Sequence, residues 1–281
     1  MEINKIYNMD CLDGMKLLDD NSIDLVVTSP PYDGLRTYNG FSFDFEGIAK
    51  ELYRVIKQGG VVVWIVGDQT INGSESGISF KQALYFKEIG FNLHDTMIYE
   101  KECIFPDTNR YLNVFEYMFI LSKNAPKTVN FISDRRNKNI GTKTGCSYRQ
   151  SNGELLYKTP KDIQEFGRRK NIWYISTGFQ KSSKDKIAYE HPAIFPEQLV
   201  SDHIISWSND GDVVMDPFMG SGTTAKMALF NNRRFIGFEI SKEYCEIANK
   251  RIDYLLRQTS IFTDFEQLNK EITREEATVC K

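Results

Sequence analysis

Apolar positions along this chain follow two periods that take turns. Continuous β-branched and aliphatic runs at 23–28 and 61–66 read as strands buried on both faces. Shorter runs at 4–9, 96–99, 114–121, 212–215 and 234–238 predict further strands. Helical spacing fills the gaps. Leu12, Met15 and Leu18 share one face, and Ile48, Leu52, Val55 and Ile56 share another in a helix that closes on Gly59-Gly60. A helix over 79–89 stops at Gly90, one begins near Pro196 and runs to about Trp207, and one continues from a glycine turn to Phe230. Over 242–256, Ile247, Ala248, Arg251, Ile252 and Leu255 lie near one face. Strands that alternate with helices of this length predict a mainly parallel sheet, with 114–121 as its last, antiparallel strand. The charged stretch after Thr259 predicts a loose tail.

The periodicity fails between Lys123 and Lys186. Gly141, Gly145, Gly153 and Gly167 break the segment, and Tyr148, Tyr157, Phe166, Trp173 and Tyr174 are spread through it. A structureless loop of this length is out of place in a compact domain, so the segment predicts a small inserted subdomain. Charge sharpens that reading. The segment holds 15 Lys/Arg against 5 Asp/Glu, a balance of +10 that leaves −13 for the rest of a chain whose net charge is −3. One basic segment on an acidic body suits a polyanion-binding surface, the bland alternative being a solvated loop.

The remaining composition is that of an ordinary globular protein, 281 residues with 41% hydrophobic and 26% charged. No apolar run approaches the ~18 residues of a membrane span. The opening MEINKIYNMD lacks a secretory pattern, so a cytoplasmic location is expected. Cys11, Cys103, Cys146, Cys245 and Cys280 are scattered without a C-x-x-C pair, which argues against structural zinc and against a disulfide framework.

Two stretches carry candidate chemistry. The strand at 23–28 runs into Ser29-Pro30-Pro31-Tyr32, where two prolines fix φ, remove N–H donors and hold Ser29 out of helical geometry. The Ser29 hydroxyl, the Pro30 carbonyl and the Tyr32 ring then sit at a carboxyl strand end, where open α/β sheets bind ligands. Two acceptors beside an aromatic face suit a planar group bearing –NH2; an ordinary proline loop is the alternative. The second stretch, from Val213 to Glu239, reads strand, glycine turn, helix, strand, acid. Gly220 and Gly222 allow close approach of a ligand, the next helix aims its N–H groups at it, and Glu239 can accept from two ribose hydroxyls. Ala225 breaks the strict G-x-G-x-x-G spacing, which weakens a dinucleotide reading without removing it.

Thr-Ser-Pro-Pro-Tyr, Asp-Pro-Phe-Met-Gly-Ser-Gly-Thr-Thr and His-Pro-Ala-Ile-Phe-Pro-Glu, in this order, resemble the beta class of S-adenosylmethionine-dependent DNA amino-methyltransferases. The resemblance extends from Ile3 to Arg257. It implies a circularly permuted Rossmann-like α/β fold: a mostly parallel seven-stranded sheet with one antiparallel strand, plus an inserted target-recognition region. The implied divisions are 1–122 as catalytic half, 123–186 as recognition region, 187–258 as cofactor half and 259–281 as tail. S-adenosylmethionine is the implied cofactor, with Asp10, Pro192, Phe195, Pro196, Asp216, Pro217, Phe218, Gly220, Ser221, Gly222, Thr223 and Glu239 around it, and no metal.

The implied catalytic residues are Ser29, Pro30, Pro31 and Tyr32. Ser29 and the Pro30 carbonyl would accept both protons of an exocyclic amine, and Tyr32 would stack on a base flipped from the duplex. Serine before Pro-Pro-Tyr points to N4 of cytosine ahead of N6 of adenine. Carbon methylation would need a cysteine nucleophile after proline, and none stands there. Arg135, Arg136, Arg149, Arg168 and Arg169 are the expected DNA contacts, more of them to phosphates than to bases. The implied partners are double-stranded DNA, a second copy of the chain and, for a restriction system, a cognate endonuclease, with no membrane. A non-catalytic DNA-binding protein on the same fold and RNA methylation are the alternative readings, with a nicotinamide dehydrogenase behind them.

Overall fold

The computed structural model describes residues 1–31, 43–102, 109–145 and 147–258. Eight strands form its main sheet: β1 (Lys5–Asn8), β2 (Ile23–Thr28), β3 (Ile56–Val66), β4 (Asn92–Glu100), β5 (Phe115–Ser122), β6 (Ile172–Tyr174), β7 (Val213–Asp216) and β8 (Arg234–Glu239). Their order across the sheet is β1-β8-β7-β2-β3-β5-β4-β6. Every neighbouring pair is parallel except those made by β5, which runs antiparallel to both β3 and β4. The expected antiparallel strand is therefore present, but it lies inside the sheet rather than at its end. The eighth strand, β6, is three residues long and extends the expected seven; its sequence, Ile172-Trp173-Tyr174, falls within the stretch expected to be inserted.

The sheet is covered on both faces, which is why β2 and β3 read as unbroken apolar runs. Helices α1 (Cys11–Lys16), α2 (Phe45–Val55) and α3 (Ile78–Glu88) bury Met15, Leu52 and Phe86 against Val26, Val62, Trp64 and Met215. The residues between these along the strands, among them Leu25, Val27, Val63 and Val214, are buried too. On that side α4 (Glu197–Trp207) packs on β2 and β3, and α5 (Thr223–Phe230) on β7 and β8. A further helix, α6, spans 242–258. None of the helices among the described residues is long and apolar enough to cross a membrane.

The chain divides into two compact units, Met1–Val129 with the chain from Ile172 onward, and Asn130–Asn171. The second unit is narrower than the 123–186 stretch expected from composition. Residues before Asn130 belong with the sheet: Lys123 is buried and donates to Asn21 Oδ1 (3.0 Å) and the Tyr53 carbonyl (2.8 Å). Within itself, the second unit is a two-stranded antiparallel arm. Arg135–Arg136 pairs with Phe166–Gly167, a bridge joins Lys143 to Asp162, and Ser147–Arg149 pairs with Leu155–Tyr157. Between these, Asn137 donates to Glu165, Ile163 to Thr142 and Thr144 to Lys161, each at 2.8 Å through the backbone.

Trp64 is the largest fully buried side chain, and its indole N–H donates to Gln82 Oε1 at 2.8 Å. Trp64→Ala is expected to lower unfolding free energy by ~3–5 kcal/mol, because it opens a cavity and strands the Gln82 amide. Urea denaturation followed by circular dichroism would measure it.

Candidate active site

The site lies at the carboxyl ends of three adjacent strands. β8 ends at Glu239, β7 at Asp216 and β2 at Thr28, with β7 in the middle. Two strand spacings, about 10 Å, therefore separate the β8 end from the β2 end. Asp10, just beyond β1, caps α1 by accepting from the Leu12 N–H at 2.8 Å and the Asp13 N–H at 3.3 Å.

Asp216 is the hub of the arrangement, 2% exposed. Its Oδ1 accepts from the Thr28 hydroxyl (2.7 Å) and the Phe218 N–H (3.0 Å), and its Oδ2 accepts from the Thr224 hydroxyl (2.6 Å). Burial raises its pKa, and these three donors only partly offset that. Expected as a cofactor-lining residue, Asp216 serves here as an internal acceptor. It binds the end of β2 to the turn and to the first residues of α5.

The turn itself is built tightly. Gly220 and Gly222 have φ of 51° and 80°, a region side chains avoid, and a Cβ on Gly222 would stand 2.7 Å from Ala248 Cβ. Glu239 accepts the Gly220 N–H through Oε2 and the Ser241 N–H through Oε1, each at 2.8 Å. Burial raises its pKa against the pull of those backbone donors. Each oxygen keeps a second lone pair, which fits a pair of ribose hydroxyls.

Behind the turn is a cluster that sequence reasoning missed, although Arg251 was visible as the one cation on the apolar face of α6. Arg251 has no exposed surface and donates to the Ser221 carbonyl (2.6 Å), Ser221 Oγ (3.1 Å) and Thr223 Oγ1 (3.1 Å). It also binds Asp185 Oδ2 (3.0 Å) and Glu197 Oε1 (2.6 Å), and Lys226 binds the same two oxygens at 2.7 and 2.8 Å. Ser221 and Thr223 thus hand their side chains to Arg251. His191 is a second missed residue: its ring meets Tyr244 edge-on at 4.2 Å, and its Nε2 stands 3.2 Å from where a Cβ on Gly220 would be.

The other expected residues are distributed unevenly. Phe218 is half-buried and packs on Trp64, with ring centroids 6.3 Å apart. Pro217 is buried, Phe195 half-buried and Pro192 exposed, while buried Pro196 is the N-cap of α4. Ser29 is half-buried directly after β2, followed by buried Pro30 and half-buried Pro31; Tyr32 lies outside the described residues.

In the Asn130–Asn171 unit the five arginines are mostly engaged. Arg169 pairs with Asp134 through Nε at 2.8 Å, Arg168 stacks over the Phe131 ring at 3.9 Å, and Arg135 Nε donates to the Arg168 carbonyl at 3.1 Å. Arg149 donates to the Gly153 carbonyl at 2.9 Å, and Arg136 lies 3.7 Å from Glu165.

The family model described as DNA methylase matches residues 23–250. Among curated proteins, the chain is 64% identical over 239 residues to the orphan methyltransferase M.BamHII of Bacillus amyloliquefaciens, covering 84% of this chain and 90% of that one. It is 30% identical over 266 residues to the type II methyltransferase M.BglII of Bacillus subtilis, covering 88% and 68%. Among solved structures, the cytosine-N4-specific PvuII DNA methyltransferase aligns with a TM-score of 0.65 at 22% identity, covering 88% of this chain and 85% of that one. A DNA modification methylase of Thermus thermophilus complexed with S-adenosylmethionine aligns with a TM-score of 0.62 at 22% identity, covering 89% and 93%.

Replacing Arg251 by Met would leave Lys226 as the one cation bound to Asp185 and Glu197 among the described residues. The expected loss at pH 7 is ~3–5 kcal/mol of unfolding free energy. A pH series tests the origin of that loss. Burial alone would raise the Asp185 pKa, but hydrogen bonds from Lys226 and Arg251, with their charges, outweigh it and hold the carboxyl below its ordinary value. A depressed carboxyl stabilises the fold above its unfolded pKa, ~4, and loses that contribution as pH falls below it. Asp216 and Glu239, raised by burial, run the opposite way in both proteins, so the difference between wild type and Arg251→Met should shrink on acidification below pH ~4. A difference independent of pH would remove Asp185 from the account.

Proposed function

This chain belongs to the DNA methylase family and is an S-adenosylmethionine-dependent DNA amino-methyltransferase, and from that premise we propose that it methylates N4 of cytosine. The base is rotated out of the duplex and received at the Ser29-Pro30-Pro31 corner, with the Tyr32 ring stacked on it. The observation that supports methyl transfer at this corner is the 2.7 Å hydrogen bond from Thr28 to Asp216, which ties the strand feeding Ser29 to the strand feeding the glycine turn. Groups on adjacent strand ends can meet at a transferred methyl without either segment having to move.

S-adenosylmethionine supplies an electrophilic methyl on a sulfonium. Its fit to the chain rests on Glu239, whose two half-used carboxylate oxygens suit ribose hydroxyls, and on the close approach allowed by Gly220 and Gly222. The work left to the protein is on the amine. Its lone pair is conjugated into the base, so it is a poor nucleophile. The Ser29 hydroxyl oxygen and the Pro30 carbonyl accept its two N–H groups, favour a pyramidal nitrogen and aim the lone pair along the line of transfer. As the N–C bond forms, the methyl–sulfur bond would break with its electron pair passing to sulfur, leaving a neutral thioether; the nitrogen is then cationic and acidic, and its proton leaves to solvent without a strong base. Among the described residues a thiolate route has little support: burial pushes the Cys11 thiol up to about 12 and the Cys245 thiol up to about 11.

Serine before Pro-Pro-Tyr is what favours cytosine over adenine. The relative at 64% identity is described as an orphan methyltransferase, which supports an enzyme acting without a cognate endonuclease.

Incubating the protein with duplex DNA and methyl-labelled cofactor, followed by mass spectrometry of the nucleosides, should yield N4-methylcytosine. N6-methyladenine would overturn the choice of base, and unlabelled DNA would overturn catalysis. Ser29→Ala is expected to lower kcat roughly a hundredfold with cofactor affinity unchanged. Glu239→Ala should do the reverse, weakening cofactor binding by about 2 kcal/mol or more; isothermal titration and single-turnover kinetics would separate the two.

A further inference from the structure

We propose that the tip of the arm formed by Asn130–Asn171, and not its arginine-rich base, reads the DNA sequence, with the Gln150 carboxamide as a specificity-determining contact in the major groove. This inference rests on the DNA-methyltransferase reading and assigns its site selection to named residues.

The arm is a ladder from Arg135–Arg136/Phe166–Gly167 at its base to Ser147–Arg149/Leu155–Tyr157 near its end. The tip closes through Gln150 N–H to the Glu154 carbonyl (2.8 Å) and Gly153 N–H to the Gln150 carbonyl (2.9 Å). Gly153, at φ 88°, supplies the left-handed residue of a three-residue hairpin loop. All six residues of the distal strand pair are exposed, including Tyr148, Leu155, Leu156 and Tyr157. A strand pair of one domain usually buries one face, and an isolated hairpin is marginal in water. This ribbon presents both faces, as an element that enters a groove would, and a major groove about 12 Å wide admits a two-stranded ribbon.

Charge selects the partner. The unit carries ten Lys/Arg against four Asp/Glu, +6 on a chain whose net charge is −3. A duplex, with one phosphate per ~1.7 Å of axis, complements that excess along the whole arm.

The distribution of occupied groups then separates affinity from sequence reading. At the base, Arg169 is committed to Asp134 and Arg168 to Phe131. At the tip, Asn152 is spent on the turn itself: its Nδ2 donates to Glu154 Oε2 (2.9 Å) and its Oδ1 accepts the Glu154 N–H (3.1 Å). Arg149 braces the Gly153 carbonyl. The Gln150 amide and the Ser151 hydroxyl make no hydrogen bond to the described residues. A carboxamide offers one acceptor and one donor side by side, which matches N6 and N7 of adenine.

The test compares the full-length wild type with Gln150→Ala and Arg136→Ala by sequencing methylated positions in a randomised duplex library, with sedimentation of each protein. Wild type should methylate a defined site that contains an adenine besides its target base. Gln150→Ala should lose discrimination at one A·T pair by about fivefold or more, while cofactor affinity and the salt dependence of DNA binding stay unchanged. Arg136→Ala should weaken binding evenly across sequences and flatten the salt slope by about 0.9. A Gln150→Ala enzyme with the wild-type site preference overturns the inference and leaves the methyltransferase reading intact. A tip variant that alters oligomeric mass and keeps site preference also overturns it, in favour of contact with a second copy. Absence of methylation by wild type on any duplex would sink the methyltransferase reading first, and this assignment with it.

Discussion

Arg251 is buried without exposed surface at the meeting point of α6, the glycine turn, the N-terminus of α4 and the segment at Ser183–Asp185, and these four elements are arranged around it. Removing a guanidinium from water is costly, and so is removing the Lys226 ammonium and the two carboxylates beside it. The cost is offset because two cations face two anions and Arg251 meets oxygens with each of its three nitrogens. Glu197 gains further from its place in the first turn of α4, where the helix dipole favours a negative charge. The functional consequence is on the turn. The Ser221 carbonyl is held from behind and a Cβ is excluded at Gly222 by Ala248, and both restrict the peptides of the turn.

Asp216 carries that order across to the other half of the site. It is one residue past Met215, which pairs with Val26 of β2, so its carboxylate reaches Thr28 just before Ser29. A carboxylate buried to this degree would be destabilising unpaired, and the two threonine hydroxyls exist in the interior because it needs donors. Conversely, burying either threonine hydroxyl without an acceptor would be costly. The demand for satisfied polar groups in the interior therefore positions Ser29 relative to the glycine turn. That is pre-organisation, obtained from the backbone and from buried side chains behind the site rather than from any group that touches a substrate.

Much of this was legible in the sequence, and what was not has a physical reason. β2 and the strand end at Glu239 could be read because continuous β-branched runs and a strand–turn–helix–strand order are local signals. The interior position of β5 could not: its runs of apolar residues look the same at an edge or in the middle, and only pairing with both β3 and β4 decides. β6 was absorbed into the basic segment because three residues carry no usable period. Arg251 was legible as a cation on an apolar face, but its partners come from residues 183–223, far along the chain, and such partnerships have no local trace. Asp216 was recognisable as a motif residue, yet the motif alone does not say whether its oxygens face a ligand or the interior.

The basic arm shows the same gap between composition and contact. A count of arginines is a statement about long-range field, and pairing Arg169 with Asp134 inside the unit scarcely alters how a net +6 attracts a polyanion at a distance. It alters the near field completely, since a guanidinium fork already bound to a carboxylate cannot also grip a guanine edge. Steering and reading are thus distinct demands, the first met by charge in excess and the second by unspent donors and acceptors on a rigid support. In this arm they fall on different residues, and the unspent ones lie where the two strands turn.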